Sequence, residues 1–233
     1  MLQRVLRRVG LVIVALVVLS LGGTWLQQHW QHADATPEAL AASVRDADVI
    51  VEDGRFLTLR PRRAPERMGV VVYPGAYVDI HGYVPMPFEL AVFGIDRVLD
   101  VQAANPDLKR WALVGHSVGG AMGPLFASRH PEALAGVLIW DSYPPSIAKF
   151  AGYPRPVWHI HRARPDGSPP PAFAAERGEF PAASVWVPIR GGIHMQFGSF
   201  AEGGYQEDWL AGITRAEQQA QVARATVQAL DAM

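Results

Sequence analysis

The chain has 233 residues, of which 49% are hydrophobic and 18% charged, and its formal net charge is −1 at pH 7. This composition is typical of one globular domain, and the small net charge excludes a surface that holds a polyanion, so no nucleic-acid partner is expected. The chain contains no cysteine, which excludes disulfides, thiolate nucleophiles and cysteine-based metal sites.

An uncharged apolar run, Val9–Leu26, follows three N-terminal arginines. The run is about long enough for one membrane span, and basic flanks stay in the cytoplasm. We therefore expect residues 1–26 to be a membrane anchor with a cytoplasmic N-terminus and the following domain to be extracytoplasmic. A cleaved signal peptide, which would give a secreted protein, is the alternative, because Ala33 and Ala35 form an Ala-x-Ala site. That site lies well beyond the apolar run, which favours the uncleaved anchor.

Residues 27–45 are predicted to be a linker, and residues 46–233 a domain in which strands alternate with helices. A hairpin is expected around the turn at 52–54, and five short β-branched or aromatic runs follow it. These predicted strands cover 68–75, 110–116, 134–140, 155–161 and 183–189. Helices are predicted at 90–104, 117–128 and 215–230. Continuous apolar runs separated by helices indicate an α/β domain with a mostly parallel sheet that is covered on both faces.

A Gly-x-Ser-x-Gly pentapeptide, Gly115–Gly119, lies between a predicted strand and a predicted helix. Two glycines allow a sharp strand-to-helix turn that exposes the serine hydroxyl above the sheet edge. The N-terminus of the helix then offers the N–H group of Val118 to a developing oxyanion. We expect Ser117 to be a nucleophile, and His116 to be a packing residue of the turn.

A serine hydroxyl needs a base and an acid that orients the base. His194 lies in a glycine-rich loop between the last predicted strand and the last helix, and is the expected base. Asp166 follows a strand and fits the chain order Ser, Asp, His, so it is the expected acid. Asp141 follows the preceding strand and is the alternative acid. The N–H of Ala76, after an early strand, is the expected second oxyanion donor.

Several motifs together resemble the α/β-hydrolase fold, and in particular a bacterial branch related to dienelactone hydrolases. They are YPGAYVD, VPMPFELAVFGIDR, GHSVGGAMG, RPDG and GGIHMQFG, in that order. The resemblance covers about 49–230. It implies Ser117 as nucleophile, Asp166 as triad acid, His194 as base, and an ester or lactone carbonyl as substrate, with no metal or organic cofactor.

Two departures from the family pattern bear on function. RARPDG has an extra proline before the aspartate, and the segment between Asp79 and Val84 is short. If residues 70–73 and 83–86 are neighbouring parallel strands, that segment cannot carry a crossover helix, so the domain is expected to lack one helix or strand.

Three functions follow from these patterns. The first is a membrane-tethered serine hydrolase that acts on a small ester-type substrate, and the second is an acyltransferase that uses the same triad. The third is a non-catalytic binding domain, which the missing crossover favours.

Overall fold

The computed structural model describes residues 13, 16–23, 26, 32–45, 49–54, 56–62, 68–84, 97–201 and 203–233. Most of the predicted anchor lies outside these ranges, and its described residues are helical and exposed. Among the described residues, no helix combines the length and the apolar character that crossing a bilayer requires.

The central feature is a parallel sheet of five described strands, in which each strand pairs with the next one along the chain. Its strands are β3 (Gly69–Tyr73), β4 (Trp111–His116), β5 (Gly136–Trp140), β6 (Val157–Ala163) and β7 (Val185–Arg190). A separate antiparallel hairpin of β1 (Val49–Asp53) and β2 (Leu57–Pro61) precedes it. The predicted hairpin and all five predicted strands are confirmed.

Helices connect the strands and cover the sheet. They are α1 (Pro37–Arg45), α2 (Arg97–Ala104), α3 (Val118–Arg129), α4 (Pro171–Ala175) and α5 (Arg215–Asp231). Short 3-10 helices lie at Ile80–Tyr83, Ser146–Ala148, Phe150–Gly152, Glu176–Glu179 and His194–Phe197. The α5 helix begins at Thr214 with the capping box that its sequence predicts, since Thr214 and Glu217 bond each other's backbone N–H groups.

Side chains of the central strands alternate between two hydrophobic cores. Val70 and Val72 of β3 belong to one core, which also contains Val222 of α5. Val71 belongs to the other, which contains Phe126 of α3. Because successive strand residues point to opposite faces, a strand that is buried throughout needs cover on both sides. The sheet is therefore packed between helices on its two faces, as its apolar runs predict.

The expected loss of one helix or strand stays a prediction, because much of the segment between the first two parallel strands lies outside the described residues. The strand that pairs with β3 is β4, and the connection between them carries α2. Tyr83 does not begin a neighbouring strand but ends a 3-10 helix, where its ring is fully buried. Residues 85–96, which include the start of the predicted helix at 90–104, lie outside the described residues.

Candidate active site

Ser117 occupies a strained turn between β4 and α3. Its backbone has φ 54° and ψ −122°, a region that side-chain-bearing residues rarely adopt. A Cβ atom added to Gly119 would lie 2.1 Å from the carbonyl oxygen of Tyr73, and one added to Gly115 would lie 2.4 Å from that of Gly119. Only glycine fits at both positions, so the turn has the close packing that the pentapeptide predicts.

Two backbone N–H groups at the Ser117 turn form hydrogen bonds to carbonyl groups of neighbouring segments. Ser117 donates to the carbonyl of Trp140, and Gly119 donates to that of Pro74. Within the ranges that the structure describes, the N–H groups of Val118 and Ala76 donate to no protein acceptor. Both residues line one cavity with Ser117. The structure therefore places both predicted oxyanion donors in one cavity with the serine.

His194 is hydrogen-bonded to Asp141, the alternative acid. Its Nδ1 lies 2.6 Å from Oδ2 of Asp141, whose side chain is fully buried. A carboxylate can only accept, so Nδ1 donates in this hydrogen bond, and Nε2 is the acceptor of the ring whenever the ring is neutral. His194 lines two cavities together with Ser117. The structure therefore gathers Ser117, His194 and Asp141 at the carboxyl edge of the sheet.

The predicted contact between Asp166 and His194 is not formed, which corrects the expected choice of acid. Asp166 is exposed and accepts from the N–H and the hydroxyl of Ser168, at 2.8 and 2.7 Å. The strand β6 continues to Ala163, and a turn then closes through the hydrogen bond from the N–H of Arg164 to the carbonyl of Ser168. This turn holds the Asp166 carboxylate in solvent, whereas Asp141 directly follows β5 with a positive φ of 48°.

Arg162 is buried and binds two aspartates beside His194, a contact that no pattern in the sequence predicts. Its Nη1 forms an ion pair with Oδ2 of Asp141, and its backbone N–H donates to Oδ1 at 2.8 Å. Its Nη2 contacts Asp208 at 2.6 Å. Two carboxylates thus face one guanidinium, which leaves one net negative charge to stabilise a positively charged His194 ring.

Charges around Asp141 keep its carboxylate ionised. Burial acts to raise the pKa of Asp141, but the hydrogen bond from His194 and the Arg162 charge outweigh burial and hold that pKa well below its usual range. A carboxylate with a lowered pKa stabilises the fold fully above the pKa it has when unfolded, about 3.9. This stabilisation is lost as the pH falls from there toward the folded pKa.

Replacing Arg162 by Met should lower the free energy of unfolding at pH 7 by about 3 kcal/mol, because it leaves a buried carboxylate short of its partner. The same variant should lose less stability than the wild type between pH 5 and pH 3, since Asp141 is then less strongly shifted. Urea denaturation at the two pH values measures both effects. Equal acid losses in the two proteins would contradict the role of Arg162.

Loops on both sides hold the His194 ring in place. The Glu207 carboxylate accepts hydrogen bonds from the backbone N–H groups of His194 and Met195, at 2.9 and 2.7 Å. The Tyr205 ring stacks on the His194 ring, with the two centroids 4.3 Å apart. His116 packs against the ring at 4.6 Å. Burial holds the pKa of His116 well below its usual range, so its ring is neutral.

Tyr83 connects His116 to the oxyanion loop, residues 74–78, which follows β3 and carries Ala76. Its hydroxyl accepts the backbone N–H of Gly75 at 2.9 Å and forms a second hydrogen bond, also of 2.9 Å, with Nδ1 of His116. His116 is buried, as expected for a packing residue of the turn.

Two cavities open beside Ser117. The larger, of about 720 Å³, has aromatic walls, a size suited to a small organic molecule. Its aromatic and arginine wall residues are Tyr143, Phe173, Tyr205, Trp209, Arg162 and Arg164. The smaller, of about 360 Å³, is lined by the oxyanion loop and by residues 204–206. Ser117, Val118 and His194 line both cavities, so the two cavities lie on either side of the serine.

A half-buried serine at a strand-to-helix turn, beside a histidine and an aspartate at the same sheet edge, is the arrangement of an α/β-hydrolase. The model of the alpha/beta hydrolase family matches residues 83–220, more than half of the chain, and the chain belongs to this family. No curated protein has a significantly similar sequence.

Solved structures share this fold at low sequence identity. A predicted CIB-like hydrolase from Thermoplasma acidophilum is similar at a TM-score of 0.55 and 13% identity, over 79% of this chain and 100% of the other. Est1E from Butyrivibrio proteoclasticus is similar at 0.50 and 10%, over 79% and 100%. A bacterial membrane phospholipase A is similar at 0.54 and 13%, over 95% and 99%. At such identities these likenesses concern the fold.

Proposed function

We propose that this protein is a serine hydrolase of carboxylic esters or lactones. Ser117 is the nucleophile, His194 the general base and Asp141 the acid that orients the base. The observation that carries the proposal is the placement of a strained serine in the same cavities as His194, which is hydrogen-bonded to Asp141, with Val118 and Ala76 lining the smaller cavity.

The reaction proceeds in two acyl-transfer steps. Nε2 of His194 takes the proton of Ser117 as the Oγ atom attacks the substrate carbonyl, and the N–H groups of Val118 and Ala76 bind the oxyanion. The C–O bond to the alcohol then breaks, and the alcohol leaves with the proton from His194. Water attacks the acyl-enzyme in the same way, releasing the acid and restoring Ser117.

Finer assignments are also part of the proposal. The dienelactone-related branch rests on the sequence motifs, and it accounts for lactones as candidate substrates. The membrane tether, with its cytoplasmic N-terminus, rests on the apolar run and the arginines. An acyltransferase shares every step up to the acyl-enzyme and differs in the nucleophile that removes the acyl group. A non-catalytic binding domain is the remaining alternative, and it rests on the short segment between Asp79 and Val84.

Fluorophosphonate labelling tests the activated nucleophile. The wild-type protein should gain one covalent adduct on Ser117, and Ser117→Ala should gain none. His194→Ala should react at least about 100-fold more slowly, because general-base catalysis contributes about 10²–10⁴-fold. Intact-protein and peptide mass spectrometry locate the adduct. A folded wild-type protein that takes no label would refute the hydrolase.

Hydrolysis of soluble esters provides the second readout. Est1E has been solved with ferulic acid bound, and the aromatic cavity walls here suit the same kind of ring, so methyl ferulate belongs beside p-nitrophenyl butyrate in the assay. Release of acid to water identifies a hydrolase. Consumption of the ester only in the presence of an added alcohol, with the acyl group recovered as a new ester of that alcohol, identifies the acyltransferase.

A further inference from the structure

The linker that follows the predicted anchor joins the rim of the active site. The N–H of Ala33 donates to the carbonyl of Tyr77 at 2.8 Å, and the N–H of Asp79 donates to the carbonyl of Ala33 at 2.9 Å. Ala76, an oxyanion donor, is the neighbour of Tyr77. The chain therefore enters the domain directly at the oxyanion loop.

The same linker also binds the loop that follows His194. The N–H of Thr36 donates to the carbonyl of Ser199, and the N–H of Ala201 donates to the carbonyl of Asp34, at 2.9 and 2.8 Å. Ala33 and Ala35 are buried. Cleavage after Ala35 would separate Ala33 and Asp34 from the domain and break the hydrogen bonds they make on both sides. The linker is thus part of the site's framework, which favours a retained N-terminal segment.

Little chain separates the apolar run from this attachment point. Leu26 and Ala33 are seven residues apart, so the chain between them spans at most about 25 Å. Described helical residues of the run, such as Leu16, Val18 and Leu19, have exposed apolar side chains. A helix that leaves such side chains in solvent needs an apolar partner, and a bilayer suits a run with an arginine-rich flank.

Exposed apolar side chains surround the cavity mouth. Tyr77, Val118, Tyr143 and Tyr205 line the two cavities while remaining 39–50% exposed. Leu210, which follows the cavity residue Trp209, is 94% exposed. Such aromatic and aliphatic side chains favour the interfacial layer of a bilayer.

We propose that the cavity mouth is held against a phospholipid bilayer, and that Ser117 hydrolyses an acyl ester of a membrane phospholipid. This inference rests on the proposed hydrolase activity and names its substrate. The larger cavity receives the acyl chain along its aromatic wall. Arg164 is exposed at this wall, 4.8 Å from the Trp209 ring centroid, and its charge suits the lipid phosphate.

Atoms balance in a single hydrolysis. The Oγ atom of Ser117 forms a bond to the acyl carbon while the ester C–O bond breaks, and the lysophospholipid alcohol leaves with the proton held by His194. Water then cleaves the acyl-enzyme, so the products are one fatty acid and one lysophospholipid.

The test uses the full chain in vesicles of phosphatidylethanolamine and phosphatidylglycerol, with p-nitrophenyl butyrate as the soluble substrate. Fatty-acid release from the vesicles should occur in the wild type. Leu210→Glu should reduce it at least about fivefold and leave butyrate hydrolysis within about twofold, since an acidic side chain opposes contact with an anionic bilayer. Leu99→Glu, an equally apolar exposed site on α2 that lines neither cavity, should change neither rate.

A second variant tests the short reach of the tether. Twenty Gly/Ser residues inserted after Gln28 add about 25 Å of average span and should also lower vesicle hydrolysis at least about threefold without affecting the soluble ester. Hydrolysis of butyrate without release of fatty acid from vesicles would overturn the bilayer proposal and leave the proposed hydrolase standing. Equal rates of fatty-acid release in the wild type and all variants would do the same. Absence of both activities and of fluorophosphonate labelling would refute the hydrolase itself.

Discussion

Asp141→Asn is expected to lower kcat for a soluble ester about 10⁴-fold, whereas Asp166→Asn should leave kcat within about twofold. An amide in place of the Asp141 carboxylate can present an N–H to Nδ1 of His194, which stabilises the tautomer that cannot accept the serine proton at Nε2. It also removes the negative charge that offsets the imidazolium. Asp166 forms its hydrogen bonds to Ser168 in solvent, where an asparagine retains them.

Steady-state kinetics of both variants, with p-nitrophenyl butyrate as substrate, decides which carboxylate acts. Circular dichroism of Asp141→Asn separates a catalytic loss from unfolding, because this substitution also weakens the buried pair with Arg162. A large loss of kcat in Asp166→Asn, with Asp141→Asn active, would restore the acid expected from the sequence and contradict the hydrogen bond between His194 and Asp141 as the catalytic pair.

Local sequence patterns were sufficient to predict the sheet and the serine turn. β3 and β5 are runs of apolar residues bounded by turn residues, and their burial on both faces follows from those runs. The turn at Ser117 depends on glycines within two residues of it, so its geometry is also written locally. These features could be identified without knowing which other elements surround them.

The acid could not be chosen from the sequence because the choice depends on where two strands end. Asp141 and Asp166 both follow strands, and chain order allows either one. Only the structure shows that β6 extends to Ala163 and that the next turn closes on itself, which leaves Asp166 in solvent. The extra proline before Asp166 lies in that same turn and was the one local sign of a changed position.

Residues that support the site from a distance were missed for a related reason. Tyr83 is 33 residues from His116, and Glu207 is 13 residues from the His194 N–H that it accepts. Arg162 lies inside a strand, where an arginine is expected to be at the surface or on an edge strand. It is instead buried and forms an ion pair with Asp141. No spacing rule links these pairs, since their contacts arise only when separate loops meet at the sheet edge.

Gly119→Ala is expected to lower the free energy of unfolding by at least about 3 kcal/mol and kcat at least about 100-fold. The added methyl group would lie 2.1 Å from the carbonyl oxygen of Tyr73 and 2.6 Å from that of Pro74, and backbone atoms cannot rotate away as a side chain can. Either α3 or the segment after β3 has to move. The hydrogen bond from Gly119 to Pro74 would be disrupted, and Ala76, two residues further on, would shift from the oxyanion position.

Gly152→Ala is the matched control, because no atom lies within 4 Å of a Cβ atom added there. This variant should change the free energy of unfolding by less than about 0.5 kcal/mol and leave kcat unchanged. Urea denaturation followed by tryptophan fluorescence, together with ester kinetics, measures both. Equal stability of the two variants would mean that the chain around Ser117 yields easily. The packing of Gly119 would then not be what holds Ser117 in its strained backbone conformation, and that strain could not explain the position of the Ser117 hydroxyl.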